Sequence, residues 1–385
     1  PPPGPAPRGL PGVLAGLGVE RLRPGQAPAV LAAMAGRDAM VVMATGSGKS
    51  LCYQAPALAM PGLTVVVSPL IALIADQHDR LRRAGMPVRM LTSLQGAEQQ
   101  REALRDIRAG EVRLVLCAPE RLGQAAFLDA VAANPVSLLA VDEAHCLAEW
   151  GHDFRPEYLR LAALRDRLAP RSTMALTATA TPAVAREVAA RLGLRDPLEV
   201  RSGFDRPNIT LDVVALGGKG AVARKWAHLE QGLRATDGMP AIVYCGTRRE
   251  VEDVAAGLTA RGIPAAGYHA GMAADDRTRA QDAFMAGDVG VIAATNAFGM
   301  GVDKADVRAV WHWSIPTSLE GYYQEAGRAG RDGAPARAVL LAMRADLGRL
   351  IHFATRDSAG AGDVEALLGR LAREAGPDGA FAVDR

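Results

Sequence analysis

The stretch Ala44-Thr45-Gly46-Ser47-Gly48-Lys49-Ser50 constrains the fold of this chain more than any other. It follows an apolar run, Ala39 to Met43, that reads as a buried parallel strand, and precedes a helix-competent segment from Leu51 to Met60. Strand, small-residue loop, Lys-Ser and helix together form a phosphate cradle, because backbone N–H groups of the loop and helix start converge on an anion. Lys49 is then expected at the β/γ phosphates and the Ser50 hydroxyl at Mg²⁺, with Thr45, Gly46, Ser47 and Gly48 lining the nucleotide. Met43 stands where the usual pattern has its first Gly, so the motif is the tighter A-x-G-x-G-K-S form. Of the 44 basic residues only four are Lys (Lys49, Lys219, Lys225, Lys304). A Lys in so Arg-rich a chain suggests a place that needs a compact ammonium rather than a planar fork. The competing reading is a Gly-rich turn with an incidental Lys.

A chain of 385 residues exceeds one ordinary core, so two domains are expected. No apolar run approaches the ~18 residues of a membrane span; the longest, Leu63 to Ala75, is interrupted by Ser68-Pro69. The four cysteines, Cys52, Cys117, Cys146 and Cys245, form no C-x-x-C pair, which argues against zinc or a disulfide framework and fits a reducing cytoplasm. Net charge is only +2, so any nucleic-acid surface must be local.

From Arg37 onward short apolar runs alternate with helix-length segments. Strands are expected at 63–67, 88–91, 113–117, 137–141 and 173–176, with helices such as 70–84 and 97–109 between them. This is the pattern of a parallel sheet covered on both faces. It breaks around Gly203-Phe204-Asp205-Arg206-Pro207-Asn208 and resumes at Ala241, with strands expected at 241–244, 289–294, 309–313 and 336–341. The expected divisions are a disordered Pro-rich lead (1–16), a nucleotide-binding domain (17–205), a second α/β domain without a phosphate loop (206–344) and a helical tail (345–385). Pro1 in place of Met suggests trimming at the start, and the end at Arg385 reads as if a further small domain had been cut.

Val141-Asp142-Glu143-Ala144-His145 closes a buried strand, where an open α/β sheet displays its ligand site. Asp142 there is a natural Mg²⁺ partner, and Glu143 can take a proton from attacking water. Gln324 to Gly333 carries Arg328 and Arg331 three residues apart among small residues, a poor core and a good anion fork, or else a solvated Arg turn. Reaching across a cleft, such a fork stabilises charge on a γ-phosphate. Trp311 and Trp313 alternate in a strand and read as core.

Together these motifs resemble superfamily-2 helicases and, most closely, the RecQ family, from about Leu17 to Leu341. The resemblance implies two RecA-like parallel-sheet domains in tandem, with ATP and Mg²⁺ in the cleft between them. In that family Leu22-Arg23-Pro24-Gly25-Gln26 is the adenine-reading segment, so Arg23 and Gln26 are expected at the base. Ser68-Pro69-Leu70-Ile71 and Ala118-Pro119-Glu120-Arg121-Leu122 resemble strand-tracking segments. Asp142-Glu143-Ala144-His145 resembles the hydrolysis motif and brings in His145, while Ala175 to Ala180 resembles the coupling motif. Val243-Tyr244-Cys245 and the segment Ala294 to Lys304, with Thr295 at DNA and Asp303 at nucleotide, complete the set. The family-specific mark is Leu147 to Tyr158, an aromatic-rich loop that in the family senses single-stranded DNA. Trp150, Phe154 and Tyr158 are four apart and could share a helical face, but Gly151 and Pro156 interrupt it, which favours rings presented for base stacking. Trp150, His152, Phe154 and Arg155 are therefore expected at DNA, with Tyr158 the most core-like of the rings.

The chain departs from the family pattern at Val19 and Leu22, where aromatics are usual, so adenine selectivity is expected to be looser. Gly246 replaces a polar residue, and no Cys follows Cys245, so no zinc module is expected. The resemblance implies a DNA-stimulated ATPase that moves 3′→5′ on single-stranded and forked DNA, with a bacterial-type cytoplasmic, nucleoid-associated location and no membrane. An RNA-remodelling helicase of the same superfamily and a non-catalytic strand-annealing protein are the rival readings.

Overall fold

The computed structural model describes residues 9–148, 156–203, 205–296, 298 and 304–356. Among them the strands form two parallel sheets. The first holds β1 (Ala39–Val42), β2 (Leu63–Val67), β3 (Val88–Leu91), β4 (Leu114–Cys117), β5 (Val136–Val141), β6 (Ser172–Thr177) and β7 (Leu198–Arg201), ordered β3-β4-β2-β5-β6-β1-β7. The second holds β8 (Ile209–Leu216), β9 (Ala241–Tyr244), β10 (Ala265–Tyr268), β11 (Val291–Ala294), β12 (Ala309–His312) and β13 (Ala336–Met343), ordered β10-β11-β9-β12-β13-β8.

The central strands β1, β2, β4, β5 and β6 are buried at every position, because helices cover both faces of the sheet. That is why they read as unbroken apolar runs. Two cores result in the first domain. One, around Tyr53, Leu114, Leu138 and Met174, lies on one face; the other, around Phe127, Leu139, Val141 and Tyr158, lies on the opposite face. Trp311 and Trp313 are buried in the second domain, with Trp226 packed 4.8 Å from Trp313.

Three strands escaped the sequence reading. β7 and β8 are sheet edges with mostly exposed residues, and β10 is half-buried throughout. The disordered lead also needs correction: Leu10–Gly16 is a helix whose Val13 is fully buried. Its Pro11 falls in the first turn, where the missing N–H costs nothing. Beyond β13 a helix spans Arg344–Arg356; the rest of the expected tail lies outside the described residues.

Sheet register positions the chemistry. Val42 pairs with Thr177, and Val141 pairs with both Val67 and Ala175, so β1, β6 and β5 present adjacent carboxyl ends. The segments after these ends are the phosphate loop, Thr177-Ala178-Thr179 and Asp142-Glu143.

Candidate active site between the two sheets

The phosphate loop leaves β1 and turns into the helix Leu51–Ala59 through two left-handed glycines, Gly46 (φ 77°) and Gly48 (φ 85°). Gly48 is required twice over, since a Cβ there would stand 2.5 Å from Gln26 Nε2. Gln26 is buried and fully engaged by the protein: its Oε1 accepts from Arg23 N (2.7 Å) and its Nε2 donates to Ser47 O (3.2 Å) and Gly48 O (3.0 Å). Arg23 donates to Gly46 O at 3.1 Å. The segment expected to read the base is thus bonded directly to the loop expected to hold the phosphates. Lys49 Nζ lies 3.2 Å from Met43 O and 3.5 Å from Ala44 O, and Ser47 Oγ donates to Ala44 O.

Asp142 leaves β5 with only 5% of its surface exposed. Burial, aided by the neighbouring Glu143 carboxylate, pushes Asp142 up to about 7, while the Lys49 ammonium pulls it down. Asp142 Oδ1 accepts from Glu143 N (3.0 Å), and the chain turns left-handed at Glu143 (φ 47°). That turn aims the Glu143 side chain back towards His145, whose Nδ1 is 3.4 Å from Glu143 Oε2 and 2.9 Å from Thr177 Oγ1. Thr177 Oγ1 also accepts from Thr179 N (3.1 Å), and Thr179 Oγ1 accepts from Gln324 Nε2 (3.4 Å) across the cleft. A continuous polar path therefore runs from the carboxylate to the second domain.

Arg328 and Arg331 follow the helix Leu319–Ala326, whose start is capped by Ser318 Oγ accepting from Gly321 N (3.0 Å). Beyond them, Arg308 grips Asp332 with two bonds of 2.7 and 2.6 Å and holds that carboxyl below its ordinary range. Tyr244, at the end of β9, donates to Phe298 O (2.9 Å); burial pushes its phenol up to about 12, against the pull of Arg328 beside its hydroxyl. The Arg331 stem reaches the phosphate loop, where a Cβ on Gly46 would meet Arg331 Cγ at 3.3 Å.

One cleft of about 880 Å³ gathers Gln26, Lys49, Asp142 and Glu143 from the first domain and Gln324, Arg328 and Arg331 from the second. The donors near Lys49, the Ser50 hydroxyl and the Asp142 and Glu143 carboxylates, are all hard oxygens. That set fits Mg²⁺, which is usually held by one or two carboxylates plus substrate phosphates. Among the described residues no group of three His, Cys, Asp or Glu could hold a metal by itself, and the four cysteines are buried and joined by no disulfide.

The residues expected at DNA are less uniformly placed. Ser68 is buried at the end of β2, its Oγ accepting from Leu70 N (3.5 Å), and Pro69 lines the cleft. Thr295 follows β11, half-buried, with its carbonyl accepting from Phe298 N. Trp150, His152, Phe154, Arg155 and Asp303 lie outside the described residues. Tyr158, the most core-like of the three rings by sequence, is fully buried, and its hydroxyl donates to Asp142 O at 3.1 Å, directly behind the carboxylate pair. That contact could not be read from spacing, because its acceptor is a main-chain carbonyl. Among the described residues no helix is long and apolar enough to cross a membrane.

Comparison with known proteins agrees with this geometry. Residues 23–188 match the DEAD/DEAH box helicase family and residues 224–333 the helicase conserved C-terminal domain. The chain is 43% identical over 332 residues to the ATP-dependent DNA helicase RecQ of Haemophilus influenzae, covering 86% of this chain and 52% of that protein. It is 40% identical over 332 residues to the Bacillus subtilis protein of the same name (86% and 55%) and 46% identical over 340 residues to mouse ATP-dependent DNA helicase Q5 (84% and 34%). The chain thus spans about half the length of the bacterial relatives and a third of the mouse one. Two solved structures share the fold: the DUF1998 helicase MrfA bound to DNA and AMPPNP (TM-score 0.70, 18% identity, covering 91% of this chain and 53% of that one), and the DEAD-box helicase Mss116 bound to ssRNA and UDP-BeF (0.71, 17%, 90% and 75%).

Proposed function

The chain belongs to the RecQ family of superfamily-2 helicases, whose two-sheet core it carries, and we propose that it hydrolyses ATP in the cleft between its sheets to move single-stranded DNA and separate duplexes. One observation carries this reading: Lys49 and the Asp142-Glu143 pair from one sheet, and Arg328 and Arg331 from the other, face the same cleft. A γ-phosphate bound at the loop would be met from both sides, so nucleotide binding favours closure and hydrolysis releases it.

The residues divide the work. Lys49 would exchange its contacts with Met43 O and Ala44 O for phosphate oxygens. Mg²⁺, held by Ser50 and Asp142 with the phosphates, supplies charge neutralisation when bound. Glu143 accepts the proton as water attacks the γ-phosphorus and the bond to ADP breaks; its Oε2 is buried and faces His145 Nδ1 at 3.4 Å. His145 and Thr177 hold that carboxylate in place. Arg328 and Arg331 stabilise charge on the transferring phosphoryl group. The reading needs ATP and Mg²⁺ and no zinc, takes single-stranded and forked DNA as partners, and sets the chain in the cytoplasm, as in its bacterial relatives' family.

Strand displacement tests it. A labelled duplex with a single-stranded 3′ tail should be separated by the wild-type chain with ATP, and not without ATP or by Lys49→Ala. ATP-independent strand exchange would favour the annealing reading, and turnover stimulated only by RNA would favour RNA remodelling.

A further inference from the structure

Arg206 lies in the segment where the alternating pattern of the sequence breaks, between the last strand of the first sheet and the first strand of the second. Its guanidinium makes four hydrogen bonds, all to main-chain carbonyls. One NH1 proton goes to Thr45 O of the phosphate loop (2.9 Å) and the other to Gly327 O (3.1 Å); NH2 donates to Ala329 O (3.0 Å) and Gly330 O (2.9 Å). One planar group therefore joins the loop that holds the phosphates to the segment that carries Arg328 and Arg331.

We infer that Arg206 is a positioning residue: the tie that sets the distance between the phosphate loop and the Arg328–Arg331 fork. Three features support it. The bonds divide between the two domains, so the group is not simply bracing one of them. Its neighbour Asn208 braces the same segment from the side, donating to Gly330 O (2.8 Å) and Ala334 O (2.9 Å), so that Arg206 acts on a turn already made stiff. Both partners crowd Gly46, where a Cβ would meet Arg206 NH1 at 3.1 Å and Arg331 Cγ at 3.3 Å. The tie and the fork therefore touch the loop at one point.

The chemistry needs a guanidinium. Its N–H groups lie in one plane and point outward in a fixed fork, which matches carbonyls spread over two segments; an ammonium is a single point and reaches fewer of them. Arg206 touches no reacting atom. It acts by setting where Arg328 and Arg331 stand when the γ-phosphate leaves, and a misplacement of about 1 Å at such a distance can cost about 10²-fold in rate.

The inference rests on the proposed role of Arg328 and Arg331, so Arg331→Ala serves as the reference. Arg206→Ala, Arg206→Lys and Arg331→Ala are compared with wild type for phosphate release at saturating ATP and single-stranded DNA, for affinity towards a fluorescent ATP analogue, and for thermal melting. Both Arg206 variants should lose about 10²-fold in kcat, with analogue affinity near wild type because the loop retains Lys49 and Ser50, while the lost carbonyl bonds lower the melting temperature by a few degrees, more in Arg206→Ala than in Arg206→Lys. If Arg331→Ala is inactive while Arg206→Lys turns over at the wild-type rate, the tie is overturned and the fork stands. If Arg331→Ala is itself fully active, the role of the fork fails and the inference with it. Should Arg206→Ala not fold, Arg206→Lys, which keeps the charge and most of the stem, decides alone. A parallel loss of affinity, melting temperature and rate in that variant would mark a merely structural residue and also overturn the inference.

Discussion

Gly48→Ala tests how firmly the Arg23–Gln26 segment is built into the loop after the first strand. Two penalties separate cleanly. The first is conformational: at φ 85° an L-residue in the left-handed region costs about 1–2 kcal/mol. The second is the contact. A Cβ would stand 2.5 Å from Gln26 Nε2, so Gln26 must swing away and abandon its bonds to Ser47 O and Gly48 O. Each such bond is worth about 0.5–1.5 kcal/mol net, or about 1–3 kcal/mol for the pair. Gly85→Ala supplies the control, since Gly85 has φ 71° and a Cβ added there would meet nothing within 4 Å, leaving the conformational penalty alone. The entropy that alanine removes from the unfolded chain is common to both variants. At about 2–4 °C per kcal/mol for a domain of this size, Gly48→Ala should melt several degrees below Gly85→Ala. Calorimetry of both variants measures the difference, and ATP-analogue binding should weaken only in Gly48→Ala. Equal melting temperatures would refute the lock between Gln26 and the loop.

Other expected outcomes follow from single contacts. Lys49→Ala should weaken nucleotide binding, whereas Glu143→Gln should bind ATP and trap it unhydrolysed; near-normal turnover by Glu143→Gln in a phosphate-release assay would remove the proton-accepting role from Glu143. Arg331→Lys should fail almost as badly as Arg331→Ala, because an ammonium cannot reproduce the planar fork, and a fork of this kind is worth about 10³–10⁵ in rate. Rescue by Lys in the same assay would indicate plain charge neutralisation. Tyr158→Phe removes the hydroxyl bonded to Asp142 O, a loss of about 0.5–1.5 kcal/mol in denaturant unfolding. Its kcat should fall while nucleotide affinity holds, and an unchanged kcat would leave Tyr158 with packing alone.

What could be read from the sequence was what fold physics writes into side chains. Strands buried on both faces, such as Ala39–Val42 and Val136–Val141, are apolar at nearly every position, so their carboxyl ends located the loop and the carboxylates. Lys49, Asp142 and Glu143 were legible because each stands just past such a strand. The edge strand Ile209–Leu216 was not, since most of it is exposed on both faces and Asp212 interrupts its alternation. The helix Leu10–Gly16 was hidden by prolines that mark a disordered lead by composition but, at Pro11, mark a helix start by position. Arg206 and the Tyr158 hydroxyl escaped for a deeper reason: they bind main-chain carbonyls, and a carbonyl acceptor leaves no trace in the residue type that carries it.

The central claim is that the cleft between the two sheets turns over ATP in response to a DNA strand. Steady-state phosphate release by the purified chain, with and without single-stranded DNA, measures that directly. The account predicts slow hydrolysis alone, strong stimulation by single-stranded DNA, little by RNA of the same sequence, and none of it in Lys49→Ala. Hydrolysis that is the same with and without DNA, or that persists in Lys49→Ala, would contradict it.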